Sequence, residues 1–472
     1  MSLLLSDVSP PQQDVPPAPA GRSWRNAIIG LFLVGCALRI GTVLVALRTD
    51  YNPYVQVRQI GDVVEFTAIA VSLAKGEGVS LHYESAIGDF FQNPEGVSPR
   101  RPPVPTVRRP VGYPLWLALL FQLFGFRLVP VLMVQALLSA LSTLLVYLIA
   151  RQIGSARFAM IPYALSVVYY PFWFKATLLL SSTLLIFTTL LALYGLMRWL
   201  IRPTIRRAWW AGIGVGASYL VKTILLPFVP LFLIAAYWHH RRLGVPRASV
   251  IGAVTMAGAI AIVLAPLVVR NYVRSGRLLV TPPQVGAQLI QIHNPYNPTF
   301  ESFTPPGFVD EGYEGLRRAM AEARPTLPPE TPQILAEILV DDAYRRASLA
   351  FIASDPAHFM KGLWRAFWNM WRIDYVTAKP YRKASNLVCY AMLVPFCLLG
   401  IGVAVARRNA PALLLAGFLV YFAAFHTLTA AKIRYRITAM PAFFILASLG
   451  LAQGWARVTH RQAVVPSPGR SD

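Results

Sequence analysis

Ten apolar runs punctuate this chain of 472 residues, at about 27–47, 127–150, 157–172, 177–199, 208–222, 223–238, 248–269, 385–404, 410–428 and 437–456. Runs of roughly 16 to 24 residues let helices cross a hydrocarbon core about 30 Å thick, some of them tilted or short. Inside hydrocarbon each backbone N–H and C=O must find a protein partner, which leaves only α-helices or closed β-barrels. The alternating pattern of barrel strands is missing, so the runs predict an all-α, polytopic transmembrane protein with about ten crossings. With 56% hydrophobic and 14% charged residues, the composition excludes an ordinary soluble domain.

The net charge of +23 would suit a nucleic-acid partner if it were clustered, but it is spread over short loops, so no nucleic acid is expected. With the amino terminus in the cytoplasm, the inside loops carry Arg151 and Arg157, then Arg198, Arg202, Arg206 and Arg207, then Arg241, Arg242 and Arg247, then Arg407 and Arg408. This satisfies the positive-inside rule at each short loop. Both termini are then cytoplasmic, and two long polar segments, 49–113 and 271–384, face the other side. Residues 1–21, rich in proline and small residues, read as a disordered tail, and 457–472 as a second tail flanking a membrane domain over 22–456. The first run is read as a retained helix, because no small-residue cleavage site follows it. The apolar piece 115–124 is too short to span and is expected to lie at the membrane surface.

Cys36, Cys389 and Cys397 all sit in apolar runs, and the last two, about 12 Å apart along one helix, are not a disulfide pair. His239 and His240 share a basic loop, while His82, His293, His358, His426 and His460 are isolated, so no protein-built metal site is expected. A divalent ion is compatible with the chain but nothing in the sequence indicates one.

The candidates for chemistry lie in the polar segments and at the ends of the runs. Asp62 and Glu65 open a helical pattern continued by Phe66, Ile69, Ala70 and Leu73 and ended by Gly76 and Gly78. Their spacing is that of a capping box, in which both side chains satisfy backbone donors, and also that of two acids on one helix face. Further first-segment acids are Asp50, Glu77, Glu84, Asp89 and Glu95. Arg108 and Arg109, with Arg100 and Arg101 upstream, precede Pro110 and a Gly112-Tyr113-Pro114 turn; they read either as a solvated basic loop or as a phosphate grip. Their place on the outer side removes the topological reason for arginine. Arg270-Asn271 ends the seventh crossing, and Lys432, Arg434, Tyr435 and Arg436 stand between the ninth and tenth. Lys222 falls in a nearly continuous apolar stretch, where a charge either snorkels at a turn or serves a function. Lys175 follows Pro171 in a short outer connection. In the second segment Ile334, Ile338 and Leu339 recur at helical spacing, and Asp355-Pro356 predicts a cap and first position for a helix carrying Trp364, Trp368 and Trp371.

Four patches resemble the membrane-embedded GT-C glycosyltransferases, specifically the group of protein O-mannosyltransferases and lipid A aminoarabinose transferases. They are Asp62-Val63-Val64-Glu65-Phe66 through Gly78, Arg109-Pro110-Val111-Gly112-Tyr113-Pro114 through Gly125, Pro266 with Arg270-Asn271 and Gly276, and Arg434-Tyr435-Arg436 followed by Pro441. The resemblance spans about 27–456 and implies a catalytic base at Asp62 and a donor-phosphate contact at Arg109. The family often has a second acid directly after the first, where this chain has Val63, and an acid in a middle helix, where it has Ser181-Ser182.

The expected activity is an inverting transfer of a sugar from a polyprenyl-phosphate-linked donor to an extracytoplasmic glycolipid, cell-envelope glycan or protein. Asp62 and Glu65 are the catalytic candidates; Arg109, Arg108, Arg270, Lys222, Arg434 and Arg436 the phosphate-binding ones; and Tyr113, Asn271 and Tyr435 the substrate-positioning ones. The setting implied is a bacterial-type inner membrane. The alternative is a transporter or flippase of an anionic lipid-linked substrate, though no internal repeat is visible.

Overall fold

The structure, a computed structural model, describes residues 22–83, 86–93, 103–297, 311–372, 387–429 and 433–458. Arg100, Arg101, Glu84, Glu95, Lys432, His460 and residues 1–21 and 459–472 of the two tails lie outside the described residues, while the last helix runs two residues into the expected second tail. The helices used below are α1 (Arg22–Ala46), α2 (Pro53–Gln59), α3 (Gly61–Ala74), α4 (Ile87–Phe90), α5 (Gly112–Phe124), α6 (Leu128–Ala150), α7 (Ala156–Val168), α8 (Tyr170–Ala176), α9 (Ser182–Ile201), α10 (Ile205–Val221), α11 (Phe228–Arg242), α12 (Pro246–Ser275), α13 (Val285–Ile292), α14 (Glu311–Ala323), α15 (Gln333–Ser354) and α16 (Pro356–Trp371). Helices Val394–Ala406, Ala410–Thr429, Ile433–Arg436 and Met440–Val458 complete the described chain.

All ten apolar runs contain helix. Among the described residues six stretches are long and apolar enough to cross a membrane: Trp24–Ala46, Leu128–Ala150, Ser182–Ile201, Pro246–Ser275, Leu387–Ala406 and Ala410–Thr429. Their outward faces carry Leu33 and Val45 on α1 and Val254, Ile262 and Val273 on α12, the apolar exposure that a lipid solvent permits. Helix α5 has thirteen residues, about 20 Å at 1.5 Å per residue, short of a 30 Å core. It presents Leu115, Leu119 and Leu123 outward and buries Tyr113, Leu117, Leu120 and Phe121.

Several runs break or begin their helix late where the sequence suggested continuity. The run 157–172 breaks at Tyr169, whose backbone is extended, into α7 and α8. Pro171 has no N–H to give the Val167 carbonyl, and the Trp173 indole donates there instead, at 2.6 Å. Arg39, fully buried on α1, donates to the neighbouring Ser166 carbonyl at 3.4 Å, to Ser139 Oγ at 2.8 Å and to the Gly35 carbonyl at 2.9 Å. A cation suits the carbonyl end of α7, and this buried arginine explains how the break is tolerated. The run 177–199 becomes helical only at Ser182, and 223–238 only at Phe228.

Glycine decides one close approach. A Cβ on Gly400 would stand 1.8 Å from the Leu446 carbonyl oxygen, and one on Gly450 2.0 Å from that of Phe396. Helix Val394–Ala406 therefore meets the last helix backbone to backbone, as small residues allow between membrane helices. Gly400→Val is expected to lower the midpoint of thermal unfolding in detergent markedly. Gly402→Val, on the same helix but with nothing within 4 Å of its Cβ, is the control expected to leave it nearly unchanged.

Candidate functional site

The first polar segment is pinned to the bundle before it reaches the site. Gln56 on α2, 1% exposed, donates to the Thr177 carbonyl at 2.8 Å and accepts from Leu179 N at 2.9 Å. From there the chain enters α3. The capping-box reading fails: Ile60 is the N-cap, no side chain caps α3, and Asp62 already lies within its first turn. Both acids reach across to the basic segment instead.

Arg109 donates from Nη2 to Asp62 Oδ1 at 2.7 Å and from Nε to Glu65 Oε2. Arg108 donates to the other oxygen of Glu65 at 3.2 Å, and Arg434 lies 3.7 Å from Asp62 Oδ2. Residues 62, 65, 108, 109 and 434, from three distant parts of the sequence, thus share one constellation. The Phe66 ring supports the Arg109 guanidinium 5.5 Å away. Burial opposes the charge on Arg109, but the carboxylates of Asp62 and Glu65 outweigh it and raise its pKa above the ordinary arginine value.

Gly112 brings the wall of the site close. A Cβ there would stand 2.6 Å from the Leu220 carbonyl carbon and 2.7 Å from Val221 N, so only glycine lets α5 abut the end of α10. Lys222 follows that end in extended conformation, and its ammonium stands 3.8 Å from the centre of the Tyr435 ring. The same ring stacks on His426 at 4.7 Å and lies 5.4 Å from Arg434. Lys222 thus occupies a break between two helices and joins the site through Tyr435.

Four sequence candidates sit in the framework around this constellation. Tyr113 is fully buried and donates to Gln135 Oε1 at 2.9 Å. Asn271 accepts from Arg270 and donates to the Leu279 carbonyl at 3.1 Å. Arg270 donates at 3.0 Å to the carbonyls of both Thr106 and Val79, which holds the segment leading to Arg108. Arg436, 1% exposed, lies over the Tyr390 ring and donates to the Arg372 carbonyl at 3.0 Å. Spacing alone could not separate these from the cations facing the site, since all stand near helix ends. Ser181 and Ser182 begin α9, and Lys175 is buried on α8. The expected cap at Asp355 is present: its carboxylate accepts from His358 N at 2.9 Å, and Trp364 and Trp368 of α16 are exposed. No group of three His, Cys, Asp or Glu side chains able to hold a metal occurs among the described residues.

The comparisons bear on this arrangement. Residues 108–269 match the family model of dolichyl-phosphate-mannose-protein mannosyltransferase, a match that begins at the arginine pair and ends just before Arg270. The archaeal oligosaccharyltransferase AglB from Archaeoglobus fulgidus, solved with an inhibitory peptide and a dolichol-phosphate, aligns over 93% of this chain at 14% identity and a TM-score of 0.50. Its apo form aligns over the same share at 12% identity and a TM-score of 0.51. This is the GT-C fold. The chain spans about half the length of that oligosaccharyltransferase, 51% of it. ArnT from Cupriavidus metallidurans, solved with undecaprenyl phosphate, aligns over 93% of this chain and 80% of its own at 16% identity and a TM-score of 0.39. No curated protein sequence matches the chain. Within the GT-C fold seen here, Asp62 and Glu65 precede the stretch matched by the family model, and Arg434 follows it.

One neighbour of the site, His293, carries no local sequence signal. His293 is buried just after Ile292, which packs against Tyr435, and His293 itself faces Phe359 at 5.1 Å. Burial, reinforced by the charge of His358, pushes its pKa down to about 4. A histidine whose folded pKa lies below its free value contributes stability above pH ~6.5 that is lost as pH falls towards 4, at most about 3 kcal/mol. His293→Phe is expected to flatten the stability profile of the protein between pH 6.5 and 4, as read by thermal unfolding. An unchanged profile would remove His293 as its source.

Proposed function

We propose that the protein is an integral membrane glycosyltransferase that moves a sugar from a polyprenyl-phosphate-linked donor to an acceptor hydroxyl with inversion. One observation carries this reading: the carboxylate of Asp62 touches Arg109 and Arg434 at once, which puts an acid and phosphate-sized cationic partners in one cluster. The dolichol-phosphate bound to the oligosaccharyltransferase of like fold supports a lipid-phosphate donor.

In this mechanism the acceptor oxygen forms a bond to the anomeric carbon while the bond from that carbon to the donor phosphate breaks. The electron pair leaves on the phosphate, and the hydroxyl proton passes to Asp62. A free aspartate is a weak base with a pKa of about 3.9, so it works by position. The developing charge on the phosphate is met by Arg109, with Arg108, Arg434 and Lys222 nearby, because guanidinium forks match phosphate geometry. Glu65 keeps Arg108 and Arg109 side by side. The departing phosphate needs no general acid, and the reading assigns no protein-built cofactor. It places the site on the extracytoplasmic side of a bacterial-type inner membrane with both termini cytoplasmic, in keeping with the arginines of the short loops. No specific observation favours transport.

Asp62→Asn is expected to lower sugar transfer by about a hundredfold or more while the protein still binds a polyprenyl phosphate. Retained turnover would remove Asp62 as the base. Arg109→Ala should instead weaken binding of undecaprenyl phosphate by about tenfold or more, the size expected for a lost charged contact. Equal affinity in the variant would refute the phosphate role.

A further inference from the structure

The segment that delivers Arg108 and Arg109 to the site is held by backbone hydrogen bonds at Thr106, Val107 and Arg108. Thr106 N donates to the Val79 carbonyl at 3.1 Å, and Arg108 N donates to Thr106 Oγ1 at 3.1 Å. The Thr106 carbonyl accepts from Arg270 at 3.0 Å. The remaining anchor comes from the second polar segment. Glu337 on α15 accepts from Val107 N at 2.9 Å, and its two oxygens share the Thr106 hydroxyl at 2.8 and 3.0 Å. Thr106 and Val107 are almost completely buried under this contact, with Val107 packed against Ile334 and Ile338 of the same helix.

One turn further along α15, Asp341 accepts from the backbone N–H groups of Gly286 and Ala287 at 3.1 and 2.8 Å, at the start of α13. A Cβ on Gly286 would stand 1.9 Å from the Asp341 carbonyl oxygen, so the two helices meet at backbone distance. At its other end α13 places Ile292 against Tyr435, the ring shared by Lys222 and Arg434. Helix α15 therefore reaches both cationic arms of the site, one through Glu337 and the other through α13.

We propose that Glu337 is a positioning residue: through Thr106 and Val107 it fixes Arg108 and Arg109 where Asp62 and Glu65 meet them, and so sets the affinity for the donor phosphate. The inference rests on the donor reading above. A carboxylate that accepts both a hydroxyl and an amide orders two consecutive residues, and charged acceptors make stronger hydrogen bonds than neutral ones. The arginine pair begins at the very next residue. Without this anchor the pair would have to be ordered when the phosphate binds, at a cost in affinity.

The test uses the full chain in detergent, with amide hydrogen exchange and binding of undecaprenyl phosphate as readouts. Glu337→Ala should speed exchange at Thr106, Val107 and Arg108 and weaken undecaprenyl phosphate binding by about tenfold. Glu337→Gln, which keeps an acceptor oxygen, should stay within about threefold of the parent. In an Arg108→Ala, Arg109→Ala background Glu337→Ala should add no further loss, because it acts through the arginine pair. Unchanged exchange at those amides overturns the positioning role. So does unchanged affinity in Glu337→Ala beside a weakened Arg109→Ala, an outcome that leaves the donor reading standing. If neither variant alters binding, the donor reading fails and the inference falls with it.

Discussion

Arg109 stands between two carboxylates, and the arrangement of the site depends on that bracket. A half-buried guanidinium is costly unless each face of its fork is met, and Asp62 and Glu65 meet it from one helix turn of α3. The acids are thereby committed to the arginine pair and leave the start of α3 uncapped by any side chain. The cluster holds opposite charges in near balance, with Arg108 and Arg434 adding cations beyond the two acids.

The surroundings serve to keep that bracket in place. Gln56 ties α2 to the connection after α8, Arg270 and Glu337 hold the backbone at Thr106 and Val107, and Gly112 lets α5 abut the end of α10. These contacts are hydrogen bonds to backbone groups or close backbone approaches, and they do not depend on flexible side-chain pairs at the surface. Rigid support of this kind is what preorganised electrostatics requires, since a donor that must move during reaction loses much of its value. The same logic applies inside the bundle, where Arg39 and the Trp173 indole satisfy carbonyls freed by the break between α7 and α8.

Sequence and structure part company over which polar residues face the site. Asp62, Arg109 and Arg434 stood out because, on the topology expected from the short loops, acids and arginines there have no topological reason to be present. Arg270, Asn271, Tyr113 and Arg436 carry the same signal yet hold the framework, for a guanidinium beside a helix end serves a backbone carbonyl as readily as a phosphate. Glu337 gave no signal at all, as one acid among several on α15. Its role appears only where α15 crosses the first polar segment.

The sequence by itself determined the class of fold. Apolar runs of crossing length force helices, because hydrocarbon tolerates no unpaired backbone groups, and that constraint is local to each run. It also marked where acids and cations would gather, in two polar segments and at the ends of helices. Only the tertiary structure decided which charges meet, since residues 62, 65, 109 and 434 are brought together by how helices stack and where they break. That geometry is set by close backbone approaches such as Gly112 on α10 and Gly286 on α15, whose partners lie tens to hundreds of residues away along the chain and leave no local periodicity to read.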